Sequence, residues 1–358
     1  MTAMETAVQR PTVSVIIPAR NEEVCLADCL QSLVAQSGVA FEIFVVDDHS
    51  TDRTHEIAKS FPRAQVRVIE AGPLPAGWTG KNNAVATGAR QARGEWLLFT
   101  DADTVHLPGS LARAVAEAQE HNVELLSYSP EQIAVTFWEM ATLPVVFAEL
   151  ARQYPPSIVS DPISPIAAAN GQFILILREA YEAVGGHAAV AGDILEDVAL
   201  ARAVKRSARK IRFRYAPDAV RTRMYRNYRQ LRDGWTKNLA LLFPGPGRLA
   251  AKTLTLWIIP WVTLPLAFAH YWWIVICVIS LIYLVARVGR ANFNRGTELL
   301  GALFGMPMFS YLLLRSKRAH ARGIVPWKGR TYSDKTSSDK TSSRKPDSDK
   351  PALLTTDN

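Results

Sequence analysis

Residues 97–104 read LLFTDADT, an apolar run with strand character that stops at two carboxylates, Asp101 and Asp103, one residue apart. Like charges that close repel, and neither is stable at a buried strand end without a partner. A D-x-D pair alone also describes a solvated turn, so its setting decides. The same arrangement recurs upstream: VSVIIP (13–18) runs into Pro18-Ala19-Arg20-Asn21-Glu22-Glu23, and FEIFVVDD (41–48) ends at Asp47-Asp48-His49-Ser50. QVRVIE (65–70) is a further strand pattern. Helical patterns lie between them, over 21–36, from Ser50–Thr51, and over about 80–92. Short continuous apolar strands alternating with helices predict a doubly wound, mainly parallel α/β sheet, in which ligands sit beyond the carboxyl ends of the strands. Three strands thus empty polar groups into one crevice. Paired carboxylates there suit a hard divalent cation, Mg2+ or Mn2+, that grips a diphosphate.

The chain has 358 residues, 48% of them apolar, enough for one large domain or two ordinary ones. Three cysteines, with no zinc-type spacing, build no disulfide framework and point to a reducing, cytosolic setting. The net charge of +8 is uneven: Arg202 to Arg232 holds twelve basic residues and one acidic, a local +11. Nucleic acid is a poor partner for this block, because Thr253 to Ala286 follows it with no acidic or basic residue except His270. That run exceeds the roughly 20 apolar residues that span a bilayer, and Trp257, Trp261, Tyr271, Trp272 and Trp273 resemble interfacial anchors. The basic block is therefore expected to face an anionic phospholipid surface.

A hairpin within 253–286 and a further membrane or re-entrant segment at 297–314 are expected, giving two or three spans in the cell (inner) membrane. Residues 132–169, apolar and broken by prolines, are expected either to lie in the membrane plane or to form a core helix. The first twenty residues have no continuous apolar core, so the N-terminal domain is expected in the cytoplasm, after a flexible stretch over 1–11. The repeated SDKTS marks 331–358 as a disordered tail.

In order and spacing, SVIIPARNEE, VVDDHSTDRT, GKNNA, FTDADT, NGQFILI and LEDVALA resemble the family 2 glycosyltransferases of GT-A fold, over residues 12–240. GWTGKNNAVATGA, NGQF and WKGRTY are most similar to the bacterial members associated with hopanoid and carotenoid glycosylation. The resemblance implies an inverting, metal-dependent transfer of one sugar from a nucleotide-sugar, a UDP-sugar first, to a membrane lipid hydroxyl. Pro18, Ala19, Arg20 and Glu22 would line the nucleotide-base pocket, and Asp47 or Asp48 would accept hydrogen bonds from the base or ribose. Lys81 would approach the diphosphate. Asp101 and Asp103 would hold the metal. The acidic pair Glu196-Asp197 would be catalytic, with Asp197 the general base, although a helix N-terminus also favours acids there.

Gly171, Gln172 and Trp235 would lie on the acceptor side, Arg232 or Lys237 near the diphosphate, and His187 would cap or pack near the acceptor mouth. Processive members carry Q-x-x-R-W, whereas this chain has Gln230-Leu231-Arg232-Asp233-Gly234-Trp235, which argues against polymer synthesis. Two alternatives stand beside this reading: a catalytically silent membrane protein that binds nucleotide-sugars, and a sugar nucleotidyltransferase. The latter would favour a glycine-rich phosphate loop, and PARNEE has no glycine.

Overall fold

The computed structural model describes residues 11–289, 293–323, 325–327 and 330–332. The N-terminal stretch and the tail expected from 331 fall almost wholly outside the described residues. Strands β1 (Val13–Ala19), β2 (Phe41–Asp47), β3 (Val66–Glu70) and β4 (Trp96–Phe99) alternate with helices α1 (Leu26–Val34), α2 (Thr54–Lys59) and α3 (Gly80–Gln91). Then come β5 (Thr104–His106), α4 (Ser110–Glu120), β6 (Leu125–Ser129), β7 (Glu131–Gln132), α5 (Phe137–Gln153) and α6 (Pro156–Ser160). The domain is completed by β8 (Ile174–Leu177), α7 (Arg178–Ala183), α8 (Glu196–Arg206), β9 (Ile211–Tyr215) and β10 (Val220–Thr222).

Seven strands form one sheet in the order β3-β2-β1-β4-β8-β6-β9, parallel except that β8 runs antiparallel to β4 and β6. Alternation along β1 builds both layers. Val13, Val15 and Ile17 pack with Leu26, Leu30 and Leu33 of α1. Ile16 joins the opposite core with Ala84 and Val85 of α3 and Leu200 and Val204 of α8. Chain order reverses between β1 and β4, so the crevice opens where Pro18-Ala19-Arg20 and Thr100-Asp101 leave the sheet. A small sheet, β5-β10-β7, closes one side.

The remaining helices are α9 (Tyr228–Leu242), α10 (Pro246–Leu266), α11 (Trp272–Val288), α12 (Arg295–Leu300) and α13 (Met306–Ala321), followed by the β11 (Val325–Trp327)–β12 (Arg330–Tyr332) hairpin. They gather around α5 on a core of their own that includes Leu143, Val146, Trp235, Leu239 and Phe309. Between the two locations expected for 132–169, the structure places α5 in this bundle. Thr136 and Glu139 form a capping box at its start, and residues 141–149 are buried.

Helices α12 and α13 are continuous through a π-helical turn at Gly301–Gly305, making a helix of 27 residues. The two glycines let it lie directly on α5. A Cβ at Gly305 would fall 1.9 Å from the carbonyl oxygen of Ala141, so no side chain fits without moving backbone. Buried Arg287 of α11 reaches Glu149 of α5 at 2.5 Å, and Arg152 pairs with the same carboxylate.

Among the described residues two helices are long and apolar enough to cross a membrane, Pro246–Leu266 and Arg295–Ala321, while α11 is shorter at 17 residues. Little of α10 is covered by protein. With α11 it exposes Trp261, Val262, Leu264, Trp272, Ile279 and Ile282, a larger apolar surface than a water-facing helix pair carries.

Much of the basic block is engaged by the protein itself. Arg212 and Arg214 pair with Glu117, Arg221 with Glu131, Arg223 with Glu139 and Arg232 with Asp233. Lys205 donates to the carbonyls of Val159 and Ile166. Its residues spread over α8, β9, β10 and α9, and Arg212, Arg214, Arg221 and Arg223 meet acids contributed by other segments. Clustering in sequence is not clustering in space, and half of these cations are spent on internal contacts.

Candidate active site

The crevice has a cation at its centre. Lys81, in the first turn of α3, places Nζ 2.7 Å from Asp101 Oδ1 and 2.7 Å from Glu196 Oε1. Thr79 starts that helix by accepting the N–H of Asn82 on its side chain. The Asn82 side chain then donates to the carbonyls of Val190, Ala191 and Asp193, which fixes the loop leading to α8. Burial opposes the charge on Lys81, but Asp101 and Glu196 outweigh it and raise its pKa well above the ordinary value. Burial likewise works to raise the Glu196 carboxyl, yet Lys81 and Lys237 hold it below the usual range.

Asp197 differs from its neighbour. Its two oxygens accept the N–H groups of Gly171 at 3.0 Å and Val198 at 2.8 Å. Burial, reinforced by the charge of Glu196, pushes its pKa up to about 6 despite Lys81 and those two donors. Gly171 sits where the groups converge: a Cβ there would lie 3.0 Å from Lys81 Nζ and 3.5 Å from both Asp197 and Glu196. The pair Glu196-Asp197 therefore holds one carboxylate firmly ionised and one poised to exchange a proton.

Asp103 leaves β4 two residues after Asp101, and its backbone carbonyl accepts the Thr222 hydroxyl. The Tyr225 pKa is raised by burial and by the charge of Asp103, which places the two near one another. Among the described residues no three His, Cys, Asp or Glu side chains converge as a metal site. The hard oxygen donors of Asp101 and Asp103 fit Mg2+ or Mn2+ in its commoner arrangement, one or two carboxylates completed by phosphate oxygens.

The residues expected at the nucleotide wall hold one another in place. Arg20 Nη1 donates to the Asp48 carbonyl at 2.6 Å and lies 3.9 Å from its carboxylate. Ala19 is a buried strut whose carbonyl accepts the Asp48 N–H, and the Glu22 backbone N–H donates to the Thr54 hydroxyl. Asp47 accepts the Ser50 N–H on one oxygen and contacts His55 Nδ1 with the other, so it closes the turn, and Asp48 is the acid beside Arg20. Asn21 and His49, both at φ 55°, turn these loops back on each other, and the Asn21 side chain accepts the Thr51 N–H. Pro18 joins Lys81, Asp101, Gly171 and Glu196 along the narrow floor of the crevice.

Two acceptor-side expectations are corrected. Trp235 is 2% exposed, edge-on to Tyr225 and Phe147 inside the helical bundle, so it offers no platform. Gln172 is buried too, and its amide donates to Thr222 and accepts from Gln132. Lys237, unlike Arg232, does face the site: burial lowers its pKa, while Glu196, Asp101 and Asp197 act against that shift. His187 is buried and packs on Phe99, with its pKa lowered to about 4 by burial. The Tyr181 hydroxyl accepts its backbone N–H and meets Nδ1, both at 3.0 Å.

Sequence reading passed over one supporting network. The Thr100 hydroxyl donates to the Gln172 carbonyl and meets His106 Nε2 at 3.1 Å. Gln172 then reaches Thr222, and Thr222 reaches Asp103. A polar Thr100 closing an apolar strand was the available signal.

Residues 14–185 match the family model described as glycosyl transferase family 2. The 4,4'-diaponeurosporenoate glycosyltransferase of Staphylococcus aureus (strain USA300) is 28% identical over 337 residues, covering 90% of this chain and 88% of the relative. A mannosyltransferase of Pyrobaculum calidifontis, solved in complex with GDP-Man and Mn2+, superposes with a TM-score of 0.51 at 19% identity, over 87% of each chain. That similarity establishes a GT-A-like α/β fold.

Proposed function

We propose that this chain, a glycosyltransferase whose residues 14–185 form a family 2 domain, moves one sugar from a nucleotide-sugar to the hydroxyl of an apolar isoprenoid lipid, with inversion, at a membrane surface. The observation that carries the reading is the convergence of Lys81, Asp101, Glu196 and Asp197 around Gly171 at the switch point of the sheet. The acceptor class is supported by the carotenoid-type relative and by the exposed apolar helices.

Arg20 and Asp48 form the wall against which the nucleoside would bind. Lys81 is a cation shared between two carboxylates, and an arriving diphosphate can compete for it while the acids remain in place. Asp101 and Asp103 would hold Mg2+ or Mn2+, which would neutralise charge developing on the departing nucleoside diphosphate. Asp197, raised toward neutrality yet ionised at pH 7, takes the proton of the acceptor hydroxyl as its oxygen attacks the anomeric carbon. Glu196 stays charged and keeps Lys81 in register. Helix α10 and the continuous α12–α13 helix would hold the domain at the cytoplasmic face, where a soluble donor and a bilayer-bound acceptor can meet.

The test is to incubate the full chain with a panel of nucleotide-sugars, with and without polyisoprenoid alcohols in vesicles, and to measure nucleoside diphosphate and sugar-bearing lipid. Acceptor-dependent release with lipid labelling is expected. Release that ignores the acceptor, or none with any donor, overturns the reading.

A further inference from the structure

We propose that the groove between α9 and α13 binds the phosphate headgroup of an anionic phospholipid. The groove encloses about 480 Å3 and lies outside the catalytic crevice. Tyr311, Arg315, Arg318 and Arg322 follow one another at four, three and four residues, so they form one stripe along α13 and its C-cap. Asp233 and Thr236 of α9 make the opposite wall.

Arg315 is already oriented. Its Nε donates to the Thr236 hydroxyl at 3.1 Å, and its Nη2 lies 4.0 Å from Asp233. Asp233 is also paired with Arg232 at 2.8 Å, so the one acid lining the groove among the described residues is offset by two guanidinium groups. Arg318 and Arg322 are exposed, and no carboxylate among the described residues lies within ion-pair distance of either. Two unneutralised guanidinium forks beside a third that is held in place form a site for a phosphate, which matches the fork bidentately.

Position selects the source of that phosphate. The stripe ends the longer of the two helices able to cross a membrane, and exposed Tyr311 and Leu314 precede the arginines. Basic pockets between helices at that level take lipid headgroups, with acyl chains continuing along the apolar part of the helix. Five of the ten arginines of 202–232 are paired with carboxylates of the protein itself, and none of the ten lines this groove. The proposal rests on the membrane placement suggested above and not on the transfer chemistry.

Full-length protein in neutral detergent is titrated with phosphatidylglycerol, with phosphatidylcholine of the same chains, and with inorganic phosphate, and bound lipid is counted by native mass spectrometry. The comparison uses Arg318→Ala/Arg322→Ala against Lys59→Ala/Arg63→Ala, which removes equal charge from exposed positions at the end of α2 and just after it. One phosphatidylglycerol per chain is expected to be retained over phosphatidylcholine. The groove variant should weaken that retention by about tenfold or more while the control keeps it. Equal loss in both variants, retention in both, or displacement of the lipid by inorganic phosphate at matched concentration would overturn the assignment. Sugar transfer to a water-soluble alcohol, assayed in parallel, should be unchanged in the groove variant, which separates failure here from failure of the transferase reading.

Discussion

Asp197 accepts the backbone N–H of Gly171 at 3.0 Å, which ties the first turn of α8 to the segment entering β8. The contact orients the carboxylate without supplying a full charge, so burial and Glu196 can keep its proton affinity high. An amide at this position keeps the shape and loses the basicity. Asp197→Asn should therefore bind donor with nearly unchanged affinity and lose turnover by about 100-fold or more. Calorimetric donor titration beside single-turnover transfer separates the two, and collapse of donor affinity would make Asp197 a binding residue.

The same shift sets a pH dependence. A base works only when deprotonated, so activity should rise as pH passes through about 6 and level off above it. The stability contribution has the opposite sign. The folded state holds this proton more tightly than the unfolded chain does, so its stabilisation is complete below the ordinary carboxylate range and is lost as pH rises through about 6. Melting curves across this window should show wild type losing stability relative to Asp197→Asn as pH rises, and a constant difference would contradict the assignment.

The chemistry of the acceptor offers a sharper test. A carboxylic acid is already ionised near pH 7 and needs no base, whereas an alcohol does. With paired isoprenoid alcohol and isoprenoid acid acceptors, Asp197→Asn should suppress transfer to the alcohol at least tenfold more than transfer to the acid, consistent with the usual weight of general-base catalysis. Equal suppression would assign Asp197 to positioning.

The ends of β1, β2 and β4 were legible because buried parallel strands are continuous apolar runs, and polar residues mark where they leave the sheet. Lys81 was legible as a cation at a helix start, but its bridge to Glu196 is a tertiary fact carried by Asn82 and the loop it holds. Composition misled where partners lay far off in sequence. The arginines of β9 and β10 looked like a membrane patch until Glu117 and Glu131 were placed beside them. Trp235 looked like an exposed platform because α9 gives no sign in sequence that α5 and α13 cover it.

Lys81→Met should leave Asp101 and Glu196 without their shared cation. Glu196 then loses the larger of the two charges that hold its pKa down. Donor KM should rise about tenfold or more, the loss expected of a charge-assisted contact to phosphate. An unchanged donor KM would place the diphosphate elsewhere.

Asp103→Asn should abolish any stimulation of transfer by Mn2+ or Mg2+ while the protein melts near the wild-type temperature. Unchanged stimulation, or full wild-type activity in excess chelator, would remove the metal from the account.

Gly305→Leu tests the bundle. A Cβ already meets the Ala141 carbonyl at 1.9 Å, so α5 and the α12–α13 helix must separate. Overpacking of this kind costs about 1–3 kcal/mol or more, and detergent-solubilised protein should melt several degrees lower. An unaltered melt would mean that the two helices do not pack as described.

The most direct test of the central claim is the mass of the lipid product. Full-length protein, a labelled nucleotide-sugar and an isoprenoid alcohol in vesicles should yield lipid heavier by one sugar, in the inverted configuration, and the product should vanish with Asp197→Asn. A ladder of additional sugars, a retained configuration, or free sugar with unmodified lipid would contradict the account.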